Sequence, residues 1–289
     1  MAGLKNRKII SATVGTLFLL NALAWIAVFN LNQKKFLEVN FFNVGQGDAI
    51  FIETSQLHQV LIDGGPDSAV LEKLSQEMPF WDRSLDMIIL THPEKDHISG
   101  LLEVLKRYKV DYIVWNGVKR KTTEYEEWLN LIGGSKAQVK IVHAGQKIKL
   151  GDAVLDIIYP FENLENKEMD ESNDSSIVMK LKNGETSFLF TGDISGVAEK
   201  TILQKGIDLD SDVLKVSHHG SKTAENEDFL FAISPIFSVI SVGRNNSYGH
   251  PHQKVLESLV KFAIKILRTD LNGDIKIISD GENLKFNQN

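Results

Sequence analysis

The stretch Thr91-His92-Pro93-Glu94-Lys95-Asp96-His97 decides the fold. It follows a short apolar run at residues 87–90, which reads as a buried strand. It precedes residues 98–108, where Leu101, Leu102 and Leu105 fall at helical spacing. Four side chains able to ligate a cation, His92, Glu94, Asp96 and His97, therefore sit between a strand and a helix. His92 and Glu94 are two apart, so in an extended loop they point the same way. Asp96 and His97 enter the helix and offer a second pair. Imidazole with carboxylate suits zinc, manganese or iron, and the chain has no cysteine to add a thiolate or a disulfide. The bland alternative is a charged loop that carries two histidines.

Working outward, six of the eight histidines fall in three clusters: His92/His97, His218/His219 and His250/His252. His58 and His143 stand alone and read as structural or surface residues. Phe190-Thr191-Gly192-Asp193 ends a strand-like run in a glycine turn. Alone, that aspartate is a turn residue or a cap. It gains meaning beside Lys215-Val216-Ser217-His218-His219-Gly220-Ser221, where another strand runs into paired histidines. Read as extended chain, neighbouring histidines point to opposite sides, so one is expected to be a ligand and the other to support or pack. Earlier, strand-like runs at residues 37–43, 49–53 and 59–62 are joined by the glycine turns Gly45-Gln46-Gly47-Asp48 and Asp63-Gly64-Gly65-Pro66. Strands and helices then alternate. The pattern predicts an α/β fold with two mixed sheets covered by helices.

The first residues differ in kind. Residues 9–33 hold no charged side chain and are rich in Ile, Leu, Ala, Val and Phe, long enough to cross a hydrocarbon core that needs about 20 apolar residues. Lys5, Arg7 and Lys8 precede them. The expected organisation is a cytoplasmic tail (1–8), a transmembrane anchor (9–33) and a hydrolase domain (34–289), with the domain outside the cell membrane. A signal segment cut near Ala22-Leu23-Ala24 is the alternative, although the apolar run continues through residues 25–29 past that point. The formal net charge is −6, and every charged residue of 1–35 is basic, so the rest of the chain is more acidic still. That argues against a broad electrostatic footprint for nucleic acid.

Together these motifs resemble the metallo-β-lactamase superfamily, in which His-x-His-x-Asp-His follows a strand, an aspartate bridges two metals and a late histidine completes the second site. The likeness is closer to the ComEC branch, the hydrolase-like domain of competence DNA-uptake proteins. It extends over the runs at residues 44–49, 62–65, 91–97, 173–176, 191–193, 218–221 and 248–252, and over the tail. The resemblance implies an αββα sandwich and two divalent metal ions, Zn²⁺ or Mn²⁺. One site would use His92 and Glu94 with Asn173 or Asp174. The other would use Asp96, His97 and His219 (or His218), and Asp193 would bridge them. Asp48 and Asp63 would orient ligands. Asp96 and Asp193 would serve catalysis, and His250 or His252 would protonate a leaving oxygen or bind a phosphate; a capped helix start at Pro251 is the plainer reading of that last pair.

Glu94 departs from the superfamily signature, which has a second histidine there. No histidine stands at the third motif, and Asn43 replaces the aspartate usual in this branch. The first site is therefore oxygen-rich, which favours a harder ion. The expected activity is cleavage of a phosphodiester, with DNA as a candidate substrate. The alternatives are hydrolysis of a small ester, amide or phosphorylated metabolite, and a non-catalytic metal-binding module.

Overall fold

Alternation with a period of two builds the centre of the molecule. The computed structural model describes residues 2–31, 36–169, 172–224 and 226–288. It divides into two compact units, residues 1–35 and residues 36–289.

The first unit contains helix α1 (Ala2–Leu31). Among the described residues, no helix is long and apolar enough to cross a membrane. This corrects the expectation of a single-pass anchor over residues 9–33 and of a domain held outside the cell membrane. The apolar run is diluted by Ser11, Thr13, Thr16 and Asn21. Two of these hydroxyls turn inward on the helix itself: Ser11 donates to the carbonyl of Arg7 and Thr16 to that of Ala12. The end of the expected anchor, residues 32 and 33, lies outside the described residues, as do residues 34 and 35, with which the hydrolase domain was expected to begin.

The second unit runs β1 (Leu37–Phe41), β2 (Ile50–Glu53), β3 (Gln59–Ile62), α2 (Ala69–Glu77), β4 (Ser84–Leu90), α3 (Lys95–Arg107), β5 (Lys109–Trp115), α4 (Thr123–Gly134), β6 (Gln138–Ile141), β7 (Lys147–Leu150) and β8 (Ala153–Tyr159). It continues β9 (Val178–Asn183), β10 (Thr186–Phe190), α5 (Gly196–Leu203), β11 (Val213–Lys215), α6 (Glu227–Ile233), β12 (Phe237–Ile240), α7 (Gln253–Lys261), β13 (Lys265–Arg268), α8 (Thr269–Asn272), β14 (Ile275–Ser279) and β15 (Leu284–Gln288). One sheet has the order β15-β14-β1-β2-β3-β4-β5-β6, the other β13-β12-β11-β10-β9-β8-β7.

The sheets pack face to face. Ile50 and Ile52 of β2 and Phe188 and Phe190 of β10 point into the shared core, with Val39, Phe41, Leu155, Met179 and Val239. The intervening Phe51 and Leu189 point the other way, under the helices. Helices α2, α3 and α4 cover the first sheet with Val70, Leu74, Ile98, Leu101 and Trp128. Helices α5, α6 and α7 cover the second with Ile202, Phe229, Leu230, Val255 and Leu259. Each buried side chain of this size contributes roughly 1.5–3 kcal/mol by leaving water. The αββα arrangement expected from the sequence is thus present.

Both sheets are mixed, and this positions the site. In the first, β3, β4 and β5 run parallel. In the second, β10, β11, β12 and β13 run parallel. Parallel strands deliver their carboxyl ends to one edge. The loop after β3 carries Asp63, the loop after β4 carries residues 91–94 and leads into the first turn of α3 with Asp96 and His97, and the loops after β10 and β11 carry Asp193 and His218/His219.

Candidate metal centre

The loop after β3 is fused to the first turns of α3. Gly64 N donates to His97 O at 2.8 Å, and Gly100 N donates to Gly65 O at 3.0 Å. A Cβ on Gly100 would overlap the carbonyl of Gly64, so only glycine allows this approach. The fusion seats Asp63 beside His97. Asp63 adopts a left-handed φ of 56° and accepts from Thr91 N (2.8 Å) and Thr91 Oγ1 (2.7 Å), while His97 Nδ1 lies 2.9 Å from its Oδ2. One face of His97 is thereby fixed, and its Nε2 is turned toward the opposite sheet.

From that sheet comes the rest. After β11 the chain does not stay extended. His218 and His219 take consecutive left-handed conformations (φ 47° and 54°), followed by Gly220 at 76°. Non-glycine residues pay of order 1 kcal/mol each for that region, and such strain collects at functional sites. The turn swings both imidazoles toward Asp193. His219 Nε2 lies 3.2 Å from Asp193 Oδ2, and His218 Nε2 lies 3.9 Å from it. His219 Nδ1 is tied to Ser241 O at 2.8 Å. His97 Nε2 approaches the same Asp193 oxygen at 3.3 Å, and Asp96 Oδ2 stands 3.3 Å from His219 Nε2.

Asp96, His97, Asp193 and His219 thus each offer a donor atom, all within 4.8 Å of one another. The two imidazole Nε2 atoms are buried and find no aligned hydrogen-bond partner, nor does Asp193 Oδ1. Buried polar groups are normally satisfied. Orphaned nitrogens facing carboxylate oxygens fit a divalent cation, and the donor set of two imidazoles and two carboxylates is one that zinc or manganese accepts.

Charge in the bare chain follows the same geometry. Burial opposes a charged imidazole at His97, but Asp193, Asp63 and Asp96 hold its pKa well above the ordinary value. Burial likewise works against His219, and Asp193 and Asp96 reverse it and push it up to about 10. Burial works against the charged forms of Asp193 and Asp96 too, yet His219 and His97 keep both carboxylates below their usual range. These protonated histidines are where a cation would take over the positive charge.

Lys215 was not singled out from the sequence. It is fully buried at the end of β11. Its Nζ pairs with Asp48 Oδ2, donates to Gly192 O at 3.0 Å and lies 3.5 Å from Asp193 Oδ1. Asp48 and Asp193 outweigh burial and raise its pKa, so it is a resident cation. A buried lysine is legible in sequence only as an odd charge at the end of an apolar strand.

The remaining expected residues divide. His92 is buried beside His97 with ring centroids 4.2 Å apart; its Nδ1 faces Thr91 Oγ1 and its Nε2 has no partner. Burial and the neighbouring His97 depress its pKa strongly, so it is neutral. Glu94 stands at the N-cap position of α3 but its side chain makes no capping bond: its Oε1 accepts from Ser172 Oγ (2.6 Å) and pairs with Arg120 Nη2 (2.9 Å). Asn173 Nδ2 lies 3.2 Å from His218 Nε2. Asp174 is turned away, accepting from Ser195 N (2.6 Å) and Ser195 Oγ (2.9 Å) at the start of α5. His250 packs on His218 at 5.7 Å, and burial with the nearby His219 lowers its pKa to about 4. His252 instead caps α7, its Nδ1 accepting from Lys254 N. A cleft of about 170 Å³ opens over the centre, bordered by Gln46, Glu94, Asn173, His218, Tyr248 and His250.

Residues 58–215 match the family described as Beta-lactamase superfamily domain. The chain is 33% identical over 256 residues to ComE operon protein 3 of Bacillus subtilis, covering 83% of this chain and 32% of that protein. It is 30% identical over 241 residues to Competence protein ComA of Neisseria gonorrhoeae, covering 82% of this chain and 32% of that one. The chain therefore spans about a third of the length of these relatives. Among solved structures it is similar to the metallo-β-lactamase fold protein YhfI of Bacillus subtilis, with a TM-score of 0.56 at 13% identity over 87% of this chain and 100% of that chain. It is also similar to CmlA, a diiron β-hydroxylase from Streptomyces venezuelae, with a TM-score of 0.53 at 14% identity over 86% of this chain and 55% of that one. At such identities these two structures speak for the fold alone.

Proposed function

The chain belongs to the β-lactamase superfamily, whose members are generally metal-dependent hydrolases, and from that premise we propose that it hydrolyses phosphodiester bonds in the manner of a nuclease. The observation that carries the reading is the convergence of two orphaned imidazole nitrogens, from His97 and His219, on the carboxylates of Asp96 and Asp193. The choice of a phosphodiester is supported by the name of one relative, Competence protein ComA.

Asp96, His97, Asp193 and His219 would hold the cation. When bound, it supplies Lewis acidity and lowers the pKa of water toward neutrality. The chain's own groups supply the rest. Asp63 and the Ser241 carbonyl engage the Nδ1 atoms of His97 and His219, so both rings present Nε2 to the centre. Lys215 holds Asp48 and stands by Asp193, which offsets some of the negative charge gathered there. His250, at the cleft and against His218, is held neutral by its lowered pKa and is the group assigned to hydrogen-bond a substrate phosphate. The acidic balance of the chain favours brief engagement of a substrate strand over tight duplex binding.

The test is incubation of the full chain with Mn²⁺ or Zn²⁺ on single-stranded DNA, a chromogenic phosphodiester, an ester and a lactam. Metal-dependent cleavage of the phosphodiesters, absent in His97→Ala, is expected. Turnover of the ester or lactam with both phosphodiesters untouched would replace this reading with that of a small-molecule hydrolase. No rate above buffer on any substrate would leave only a binding module.

A further inference from the structure

We infer that Tyr248 is a stacking platform for a nucleobase of a single-stranded nucleic acid, set beside the metal centre by the loop between β12 and α7. The inference rests on the phosphodiester reading above and deepens it, by naming a residue that would select strands carrying bases.

A single exposed aromatic is ordinary on a protein surface. Tyr248 is 70% exposed, but three observations set it apart. It borders the cleft over the centre, together with Asp96, Asp193 and His219. Its ring stacks on His250 with centroids 5.7 Å apart and planes 25° apart, and His250 in turn meets His218 edge-on at 5.7 Å. His218 Nε2 stands 3.9 Å from Asp193 Oδ2. A short file of rings thus leads from the carboxylates of the centre outward to Tyr248.

The third observation is that the backbone under the ring is fixed. Asn246 stitches the loop to itself: its Oδ1 accepts from Tyr248 N (3.2 Å) and His250 N (2.9 Å), and its Nδ2 donates to Gly243 O (3.0 Å) and His250 O (2.6 Å). The loop is then braced on both sides of the centre. His252 N donates to Gly220 O at 2.8 Å, and a Cβ on Gly220 would overlap Pro251, so the His218-His219-Gly220 turn lies directly against it. Gly243 N donates to Gln46 Oε1 at 3.3 Å, and a Cβ on Gly243 would overlap Gln46 N. A side chain held this way loses little freedom when a ligand settles on it, which is what preorganisation supplies.

The chemistry of the ring chooses the ligand. His250 covers only part of Tyr248, and the rest is open to water. Aromatic side chains beside a strand-binding groove hold bases by stacking, whatever the base, because every base has a π-face. A base next to a scissile phosphate hangs to one side of the backbone, and Tyr248 lies to one side of the centre. Stacking also needs no positive field, so it suits a chain with a formal net charge of −6.

The experiment is equilibrium binding to the full chain in EDTA, so that no cleavage occurs. It is read by the anisotropy of an end-labelled oligothymidylate and of an abasic strand of the same length. The wild type is expected to bind the oligothymidylate more tightly. Tyr248→Ala should weaken that binding by about 5-fold or more and hold the two strands alike, while Tyr248→Phe keeps the preference. Equal affinity of the wild type for both strands, or binding of neither, would overturn the inference. A preference that survives in Tyr248→Ala would overturn it too, by placing the base contact elsewhere. The hydrolase reading stands or falls separately, on the metal-dependent cleavage assay.

Discussion

His97 and Glu94 lie three residues apart at the start of α3, yet they meet opposite fates. His97 is fully buried, fixed at Nδ1 by Asp63, and open at Nε2 toward Asp193. Glu94 is partly exposed and has Arg120 and Ser172 on one carboxylate oxygen. Both are residue types that bind cations. The difference is whether the fold leaves the donor atom unsatisfied. At His97 an aspartate behind the ring spends only the rear nitrogen, and the front one is preorganised at no further cost. At Glu94 one of the two carboxylate oxygens is held by Arg120 and Ser172, while the residue still borders the cleft. A residue type in a motif is therefore an offer of a ligand, and the surrounding partners decide whether the offer stands.

The comparison can be broken most violently at its hub. Lys215→Met leaves Asp48 and Asp193 buried without their ammonium. Chemical unfolding of the metal-free chain is expected to show a loss of about 3–5 kcal/mol, as for other buried pairs broken from one side. Added Mn²⁺ should recover part of it; an unchanged unfolding midpoint would mean Lys215 does not carry this charge. Next, His97→Ala removes a donor atom outright. Its cation affinity, read by equilibrium dialysis, should fall by more than the roughly 10–100-fold typical of losing an orienting partner. Asp63→Asn should fall within that 10–100-fold window, because the ring of His97 remains but loses its fixed orientation. If Asp63→Asn bound as tightly as the wild type, the rear contact would be a packing feature only. The smallest effect is expected at Glu94→Gln, where loss of a partly exposed ion pair should lower stability by about 1 kcal/mol or less in a thermal melt. A much larger drop there would show Glu94 to be as deeply committed as His97.

Much of this centre was legible before any coordinates. Residues 91–97, Asp193 and the His218/His219 pair stand out because ligand-type side chains are rare, short-range and clustered after strand-like runs. The period of two in β2 and β10 gave both sheets their inner and outer faces. Strands β7, β13 and β15 were not legible. Lysines alternate with apolar residues in β7, Lys265 and Arg268 bound β13, and all three strands stand at sheet edges. The anchor expected over residues 9–33 is the clear correction, because no described helix meets the length and apolarity that a span requires. The expectation of opposed histidines at 218 and 219 assumed an extended backbone. The chain instead spends two left-handed residues there, a choice that residue type does not announce outside glycine.

By itself the sequence determined the layered α/β class, the loops that carry the donors and the acid-and-imidazole character of the centre, since all of these are encoded in local periodicity and in short motifs. Tertiary structure alone decided which donors remain free. That depends on Arg120, Ser172, Ser195 and Lys215, which lie 20 or more residues from the groups they satisfy and reach them through the packing of two sheets. Hydrogen bonding and ion pairing saturate within a few ångströms, so a ligand set is settled by what stands next to each atom in space and not by what stands next to it along the chain.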